Sequence, residues 1–293
     1  MIAGVTGESS LASRISANRR RAVLLVVAIG GLAGVVLGLL SLLLAPLVVA
    51  VIVAVVVGVA VGATAWFGSE PLARRRIKAK PADPLRHARL INLVEGLCLT
   101  AGLPEPGLYV TEDSGLNALT LGRDPRRASL VVTHGLLDRL SRIELEAVLA
   151  HELSHIKSYD TLPATVAVAV AGPLGGPARA ASSGTGLRAA VGYALLPASA
   201  LAGFGLQHTV GGHREEIADL SGVSLTRYPP AMITALEKLE GSGTVVASGS
   251  PATAHLWLGM PEPATRPLRA AWLGRLFETH PPLDERIEAL REL

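Results

Sequence analysis

The sequence predicts a mainly helical α+β protein carried on an N-terminal membrane hairpin. Three observations make that prediction. No charged residue occurs between Ala22 and Phe67, which is room for two spanning helices at about 20 residues each. Short β-patterned segments follow at Leu108–Thr111, Asn117–Gly122 and Ser129–Thr133. A capped, helically patterned segment then carries His151-Glu152-Leu153-Ser154-His155, the pattern H-E-x-x-H. The bulk numbers agree: 17% charged residues, 3% aromatics and a mean hydropathy of +0.43 suit an integral membrane protein better than a soluble one.

The elements follow in order. Residues 1–81 form a basic segment and the hairpin, with Pro46 the natural turn between Ala22–Ala45 and Leu47–Phe67. Arg19-Arg20-Arg21 precede the hairpin, and Arg74-Arg75-Arg76, Lys78 and Lys80 follow it. Basic residues at both ends place both ends in the cytoplasm, so the expected location is the cell (inner) membrane, multi-pass. The same clusters account for the net charge of +3, so no nucleic-acid partner is expected. Residues 82–160 read as a cytoplasmic catalytic part, with an amphipathic helix over Leu85–Ala101 closed by Gly102 and Pro104, and then the three strands. Ser141 followed by Glu144 is a capping box, which starts the H-E-x-x-H helix near Arg142. Residues 161–208 read as a second apolar hairpin, uncharged over 161–178 and 189–207; Arg179 and Arg188 at its tip go against the charge rule, so buried helices or a shallow re-entrant hairpin are the alternatives to spanning. Residues 209–293 are polar again, with a Gly/Ser-rich loop over Gly241–Ser250 and a closing amphipathic helix over Leu283–Leu293.

On a helix, His151 and His155 are four apart and share a face, as zinc ligation requires. Glu152 stands beside them, where it can take a proton from an activated water. Leu145, Val148, Leu149 and Leu153 form a buried stripe next to that face, so the histidines stand on a packed helix. The plain alternative is two surface histidines flanking an exposed glutamate. The single cysteine, Cys98, excludes both an internal disulfide and a thiolate zinc site. One Zn2+ per chain would therefore take His and carboxylate ligands. A third ligand is expected from His213-Arg214-Glu215-Glu216-Ile217-Ala218-Asp219, where Glu215 and Asp219 share a face. Glu215 would bind the metal while Asp219 takes the N–H of a liganding histidine; Glu216 is the rival ligand. No P-loop pattern occurs, so ATP is not an expected partner.

Several motifs together resemble the HtpX-type membrane zinc metallopeptidases, relatives of the CaaX prenyl proteases. They are Asn117-Ala118 with Gly122, Thr133-His134-Gly135-Leu136-Leu137, the run Glu144–His155, Arg214-Glu215 with Ala218-Asp219, and Thr279-His280-Pro281-Pro282 with Arg286-Ile287. The resemblance implies a zincin-like metallopeptidase fold. It implies His151, His155 and Glu215 as zinc ligands, Glu152 as the catalytic base, and His280 stabilising the oxyanion with support from Arg286. Asn117 and Ala118 would hold a protein or peptide substrate as an added strand. It further implies clearance of misfolded or damaged membrane proteins at the cytoplasmic face, with the lipid bilayer as the other partner. One departure stands out: Gly211-Gly212 occupy the place of the family's Ser-Arg, leaving His213 or Arg214 to compensate. The alternatives are an inactive membrane adapter with the same fold and a CaaX-type or site-2-type membrane protease.

Overall fold

The computed structural model describes residues 7–168, Gly186, 213–242, 253–259 and 280–293. Two long helices open the chain, α1 (Gly7–Ser41) and α2 (Leu47–Arg76), with Pro46 as the N-cap of α2. The first starts well before and the second ends well after the apolar stretch predicted for it, because the polar flanks at Arg14–Arg21 and Glu70–Arg76 continue the same helical hydrogen bonding, while α1 stops at Ser41, short of the predicted Ala45. Leu24, Val27, Leu39, Val48 and Val59 point outward from the pair, the reverse of a soluble hairpin. Among the described residues these are the helices long and apolar enough to cross a membrane.

Small residues hold the hairpin closed. Gly30 lies against the Gly58 carbonyl and Gly34 against the Ala54 carbonyl. A Cβ at Gly38 would sit 2.8 Å from the Ala54 Cβ. Contact this close lets the two backbones pack by van der Waals attraction where lipid offers no hydrophobic drive.

The chain beyond the hairpin builds a four-stranded mixed sheet with helices on its faces. Its strands are β1 (Lys80–Pro81), β2 (Gly107–Thr111), β3 (Ala118–Gly122) and β4 (Ala128–Thr133), in the order β1-β2-β4-β3. β2 and β4 are parallel, and the other two pairings are antiparallel. The three predicted strands are present; β1 was not foreseen, since Lys80-Pro81 carries no alternation and pairs only through the distant β2. Helix α3 (Ala88–Ala101) begins three residues later than its pattern suggests, because the Asp83 side chain accepts hydrogen bonds from the Leu85 and Arg86 amides and forms a turn there. Gly102 closes α3 with φ 66°, the left-handed conformation that glycine adopts freely.

Helices α4 (His134–Arg139) and α5 (Arg142–Ser158) follow. The capping box of α5 is complete: Ser141 Oγ accepts from the Glu144 amide, and Glu144 Oε2 accepts from the Ser141 amide at 2.7 Å. Residues 161–168 form α6. The remainder of the predicted second apolar hairpin lies outside the described residues, apart from Gly186, as do Gly211-Gly212 and most of Gly241–Ser250. Helices α7 (His213–Thr226), α8 (Pro229–Gly241) and α9 (Leu283–Arg291) complete the fold.

One face of the sheet packs with α3, α5, α8 and α9 into the main core around Leu130, Val132, Leu149 and Leu236. The other face meets the polar end of α2, where Ala73 and Ile77 pack with Leu119, Leu121, Val131 and Trp257. Polar contacts fix this junction: Ser129 Oγ donates to Glu70 Oε1 at 2.8 Å, and the Arg74 guanidinium lies over the Tyr109 ring. The membrane hairpin is thus built onto the sheet that carries the site.

Replacing Gly34 by Val should lower the detergent-solubilised protein's stability by about 1–3 kcal/mol through overpacking. Gly31→Val, with nothing within 4 Å of its Cβ, is the control. The measurement is the thermal midpoint of the two variants side by side.

Candidate active site

Helix α5 puts His151, Glu152 and His155 on its buried side, and α7 brings Glu215 and Asp219 against them. The approach is made possible by Gly222 of α7, where a Cβ would lie 2.9 Å from the His151 nitrogen. Any side chain there would push the two helices apart and carry Glu215 away from the histidines.

The three candidate ligands converge. His151 Nε2 is 3.1 Å from His155 Nε2, and Glu215 reaches to 3.4 Å of the first and 3.7 Å of the second. One ligand atom from each lies within 4.8 Å of the others. Two ring nitrogens facing each other next to a carboxylate make a poor set of mutual hydrogen bonds and a good set of donors for one cation. Glu215 is 1% exposed, and its oxygens accept no well-aligned hydrogen bond, although Arg214 Nε approaches to 2.9 Å. An under-satisfied buried carboxylate beside two imidazoles fits a divalent metal.

Each histidine has a carboxylate at its far nitrogen. His151 Nδ1 lies 2.8 Å from Asp219 Oδ1, and His155 Nδ1 lies 3.4 Å from Asp160 Oδ2. Asp219 was anticipated from its spacing; Asp160 was not, although it lies only five residues beyond His155, just past the helix end. Arg286 of α9 forks onto Asp219 with hydrogen bonds of 2.8 Å from Nε and Nη2, and its Nη1 donates to the Leu258 carbonyl. Its geometry is that of a residue positioning Asp219 and, at 3.6 Å, Glu215.

Burial raises the pKa of Glu152, which stands 2% exposed next to the Thr120 hydroxyl. Burial acts on Glu215 in the same sense, but His280, Arg214 and His155 outweigh it and hold that carboxylate well below its ordinary range. Burial pushes His280 down, towards the neutral imidazole. His280 Nε2 lies 3.3 Å from Glu215 Oε1 and 3.0 Å from Arg214 Nη2. Arg214 therefore bridges the α7 carboxylate and the His-Pro-Pro motif, a link that its neighbour Glu215 in the sequence could have suggested. Glu216, the rival ligand, is exposed, so the geometry favours Glu215.

Asn117 and Ala118 stand at the head of β3, and their groups already have partners within the chain. The Asn117 side chain donates to the Gly259 carbonyl and accepts from its amide, and the Ala118 carbonyl accepts from the Leu258 amide at 2.8 Å. Leu119 and Trp257 pair as an antiparallel bridge. The cleft between is lined by Thr120, Glu152, Arg214, Trp257, Leu258 and His280. The pairing of residues 257–259 with β3 joins segments far apart in sequence and left no local signal.

The model of peptidase family M48 matches residues 84–293. The chain belongs to that family. Its similarity to protease HtpX homologues runs through most of its length: 35% identity over 241 residues with the Tropheryma whipplei protein, covering 78% of this chain and 80% of that one. The Dictyoglomus turgidum homologue is 37% identical over 219 residues (69% and 68%), and that of Thermococcus kodakarensis 34% over 245 (78% and 81%). Among solved structures, the crystal structure of S. mikatae Ste24p aligns with 73% of this chain and 52% of its own, at 18% identity and a TM-score of 0.40. The chain is thus an HtpX-type metalloprotease, as its motifs led one to expect.

Acid should destabilise this M48 protein. Burial opposes charge on Asp219 and Asp160, but Arg286 and His151 around the first, and His155 and Ser158 around the second, hold both pKa values below 3.8. Carboxylates lowered on folding contribute stability above their unfolded pKa and lose it as pH falls through the folded one. His255, pushed down to about 3 by burial, acts in the same sense below the unfolded histidine value. Glu152, raised by burial, works the other way above the unfolded carboxylate value, so the thermal midpoint of the metal-free protein should fall most clearly below about pH 4.5, and a flat profile there would contradict this account.

Proposed function

We propose that the protein is a membrane-anchored zinc endopeptidase that cleaves misfolded or damaged membrane proteins at the cytoplasmic face. The observation that carries this reading is the buried convergence of His151, His155 and Glu215 beside Glu152. The organisation into a hairpin (1–81), two catalytic parts (82–160 and 209–293) and a second apolar hairpin (161–208) belongs to the same proposal. The basic residues at both ends of the first hairpin support the cytoplasmic orientation.

His151, His155 and Glu215 would hold the ion, a His2Glu set suited to catalytic zinc. When bound, zinc supplies a Lewis acid that polarises the scissile carbonyl and makes water more acidic. The work of the side chains follows from their placement. Glu152 takes a proton from the attacking water and hands it to the leaving amine, and its raised pKa suits both transfers. His280 steadies the charge that develops on the carbonyl oxygen. Arg286 and Asp219 keep His151 aimed, and Arg214 sets Glu215 against His280.

Backbone pairing at β3 would make the enzyme tolerant of sequence, as clearance of damaged proteins demands. A substrate strand on Asn117 and Ala118 requires residues 257–259 to leave that edge, since both cannot pair with Ala118 at once.

Detergent-purified, zinc-loaded protein should cleave an unfolded model protein, and Glu152→Gln should lower the rate by roughly 10²–10⁴-fold while retaining zinc. Equal rates from the two proteins would remove Glu152 from the mechanism. A zinc-loaded wild type without activity would favour the adapter alternative. His280→Ala should lower kcat by about 10²–10³-fold, read in the same assay.

A further inference from the structure

The carboxylate behind His155 is held by the membrane hairpin. Asp160 is 6% exposed and follows Tyr159, which ends α5 in the left-handed conformation at φ 61°. That turn folds Asp160 back under α5, so that Oδ2 faces His155 Nδ1 at 3.4 Å. Ser158 Oγ donates to the same oxygen at 2.7 Å. The other oxygen accepts a hydrogen bond from Asn18 Nδ2, and Asn18 also donates to the Ser158 carbonyl at 3.1 Å. Arg14 Nη2 stands 3.7 Å from Asp160, and the Arg19 guanidinium lies over the Tyr159 ring. Arg14, Asn18 and Arg19 all belong to the polar end of α1, about 140 residues earlier in the chain.

Nothing in a membrane anchor requires this arrangement. Asn18 is 6% exposed on a stretch of helix otherwise rich in arginine, and among the described residues its amide nitrogen donates to the turn that follows the H-E-x-x-H helix. The equivalent support on the other histidine is different: Asp219 is fixed by Arg286, within the catalytic portion itself.

We propose that Asp160 is a positioning residue for His155, and that Asn18 of the N-terminal membrane helix holds Asp160 in that position. This rests on the reading that His155 is a metal ligand. A carboxylate on the far nitrogen fixes the tautomer that leaves Nε2 free for the metal and raises its basicity. The seating of α1 on the catalytic portion then sets how well the site holds its ion.

The test is zinc affinity, measured with zinc alone against a competing chelator, on full-length protein in detergent carrying Glu152→Gln to prevent self-cleavage. Asp160→Asn should weaken zinc binding by about 10–100-fold, as should Asp219→Asn. Asn18→Ala should weaken it about fivefold, the scale of one hydrogen bond, and Asn18→Asp by more, because it sets a like charge against Asp160. Arg20→Ala, an exposed change on the same helix, should match the parent. The proposal fails if Asp160→Asn and both Asn18 variants stay within about twofold of the parent while Asp219→Asn does not. A lowered melting midpoint with unchanged zinc affinity would equally make the contact merely structural. Should Asp160→Asn not fold, the Asn18 variants, which leave every candidate ligand and its carboxylate in place, decide alone. Loss of the underlying metal reading looks different: the parent and His151→Ala would then bind zinc alike.

Discussion

The structure depends on keeping one carboxylate, Glu215, charged at a place with almost no water. Taking an ionised carboxylate out of solvent costs several kcal/mol unless nearby groups offset it. The fold supplies those groups from every direction. His151 and His155 come from α5, Arg214 from the same helix as Glu215, His280 from the segment before α9, and Arg286 from α9 itself. None of these elements can shift far without leaving a buried charge unpaired. The close contact of α5 with α7 at Gly222 and the docking of α9 on Asp219 are therefore conditions of the site as much as features of the packing.

Local chemistry was legible in the sequence wherever the signal and its consequence lie within a few residues. The Ser141–Glu144 box, the i and i+4 histidines, the Pro46 turn and the Gly102 cap each read correctly from neighbours alone. The Glu215–Asp219 pair was legible as a shared face, and the structure adds its partner on α5. What escaped were contacts made across the chain. β1 exists through β2, residues 257–259 through β3, and Asp160 gains its place through Asn18. An aspartate after a helix and an asparagine inside an arginine-rich stretch are unremarkable in sequence; only the fold puts one under the other. Glu152 shows the same limit in another form, because its raised pKa comes from burial in the folded site rather than from anything in the motif.

The two histidines are held from opposite ends of the molecule, and this has a structural consequence. Support for His151 passes through Asp219 to Arg286 and so to the C-terminal helix. Support for His155 passes through Asp160 to Asn18 and so to α1. The polar end of α2 docks on the other face of the sheet through Ile77, Glu70 and Arg74. Because α1 and α2 pack closely at their glycines, both attachments refer to one hairpin. A helix pair that served only as a tether would need a single loose connection to the catalytic portion. Here it meets that portion on two sides, at the sheet and behind a candidate metal ligand, so the hairpin acts as part of the frame of the site.

The edge of β3 sets the remaining constraint. A strand that ends a sheet offers unpaired amides and carbonyls, and an extended peptide can add to them. In this chain that edge is already paired: Leu258 donates to Ala118, Trp257 bridges Leu119, Gly259 takes both ends of the Asn117 amide, and Thr165 accepts from the Gly122 amide. Two of these partners, Trp257 and Leu258, also line the cleft beside Glu152, so the surface that would guide a substrate overlaps the surface that closes the cleft. Strand addition at Ala118 would therefore face an intramolecular competitor, kept near that edge by its covalent attachment. A peptide bound by backbone contacts alone has little with which to outcompete it. An extended chain with further contacts along the cleft would have more.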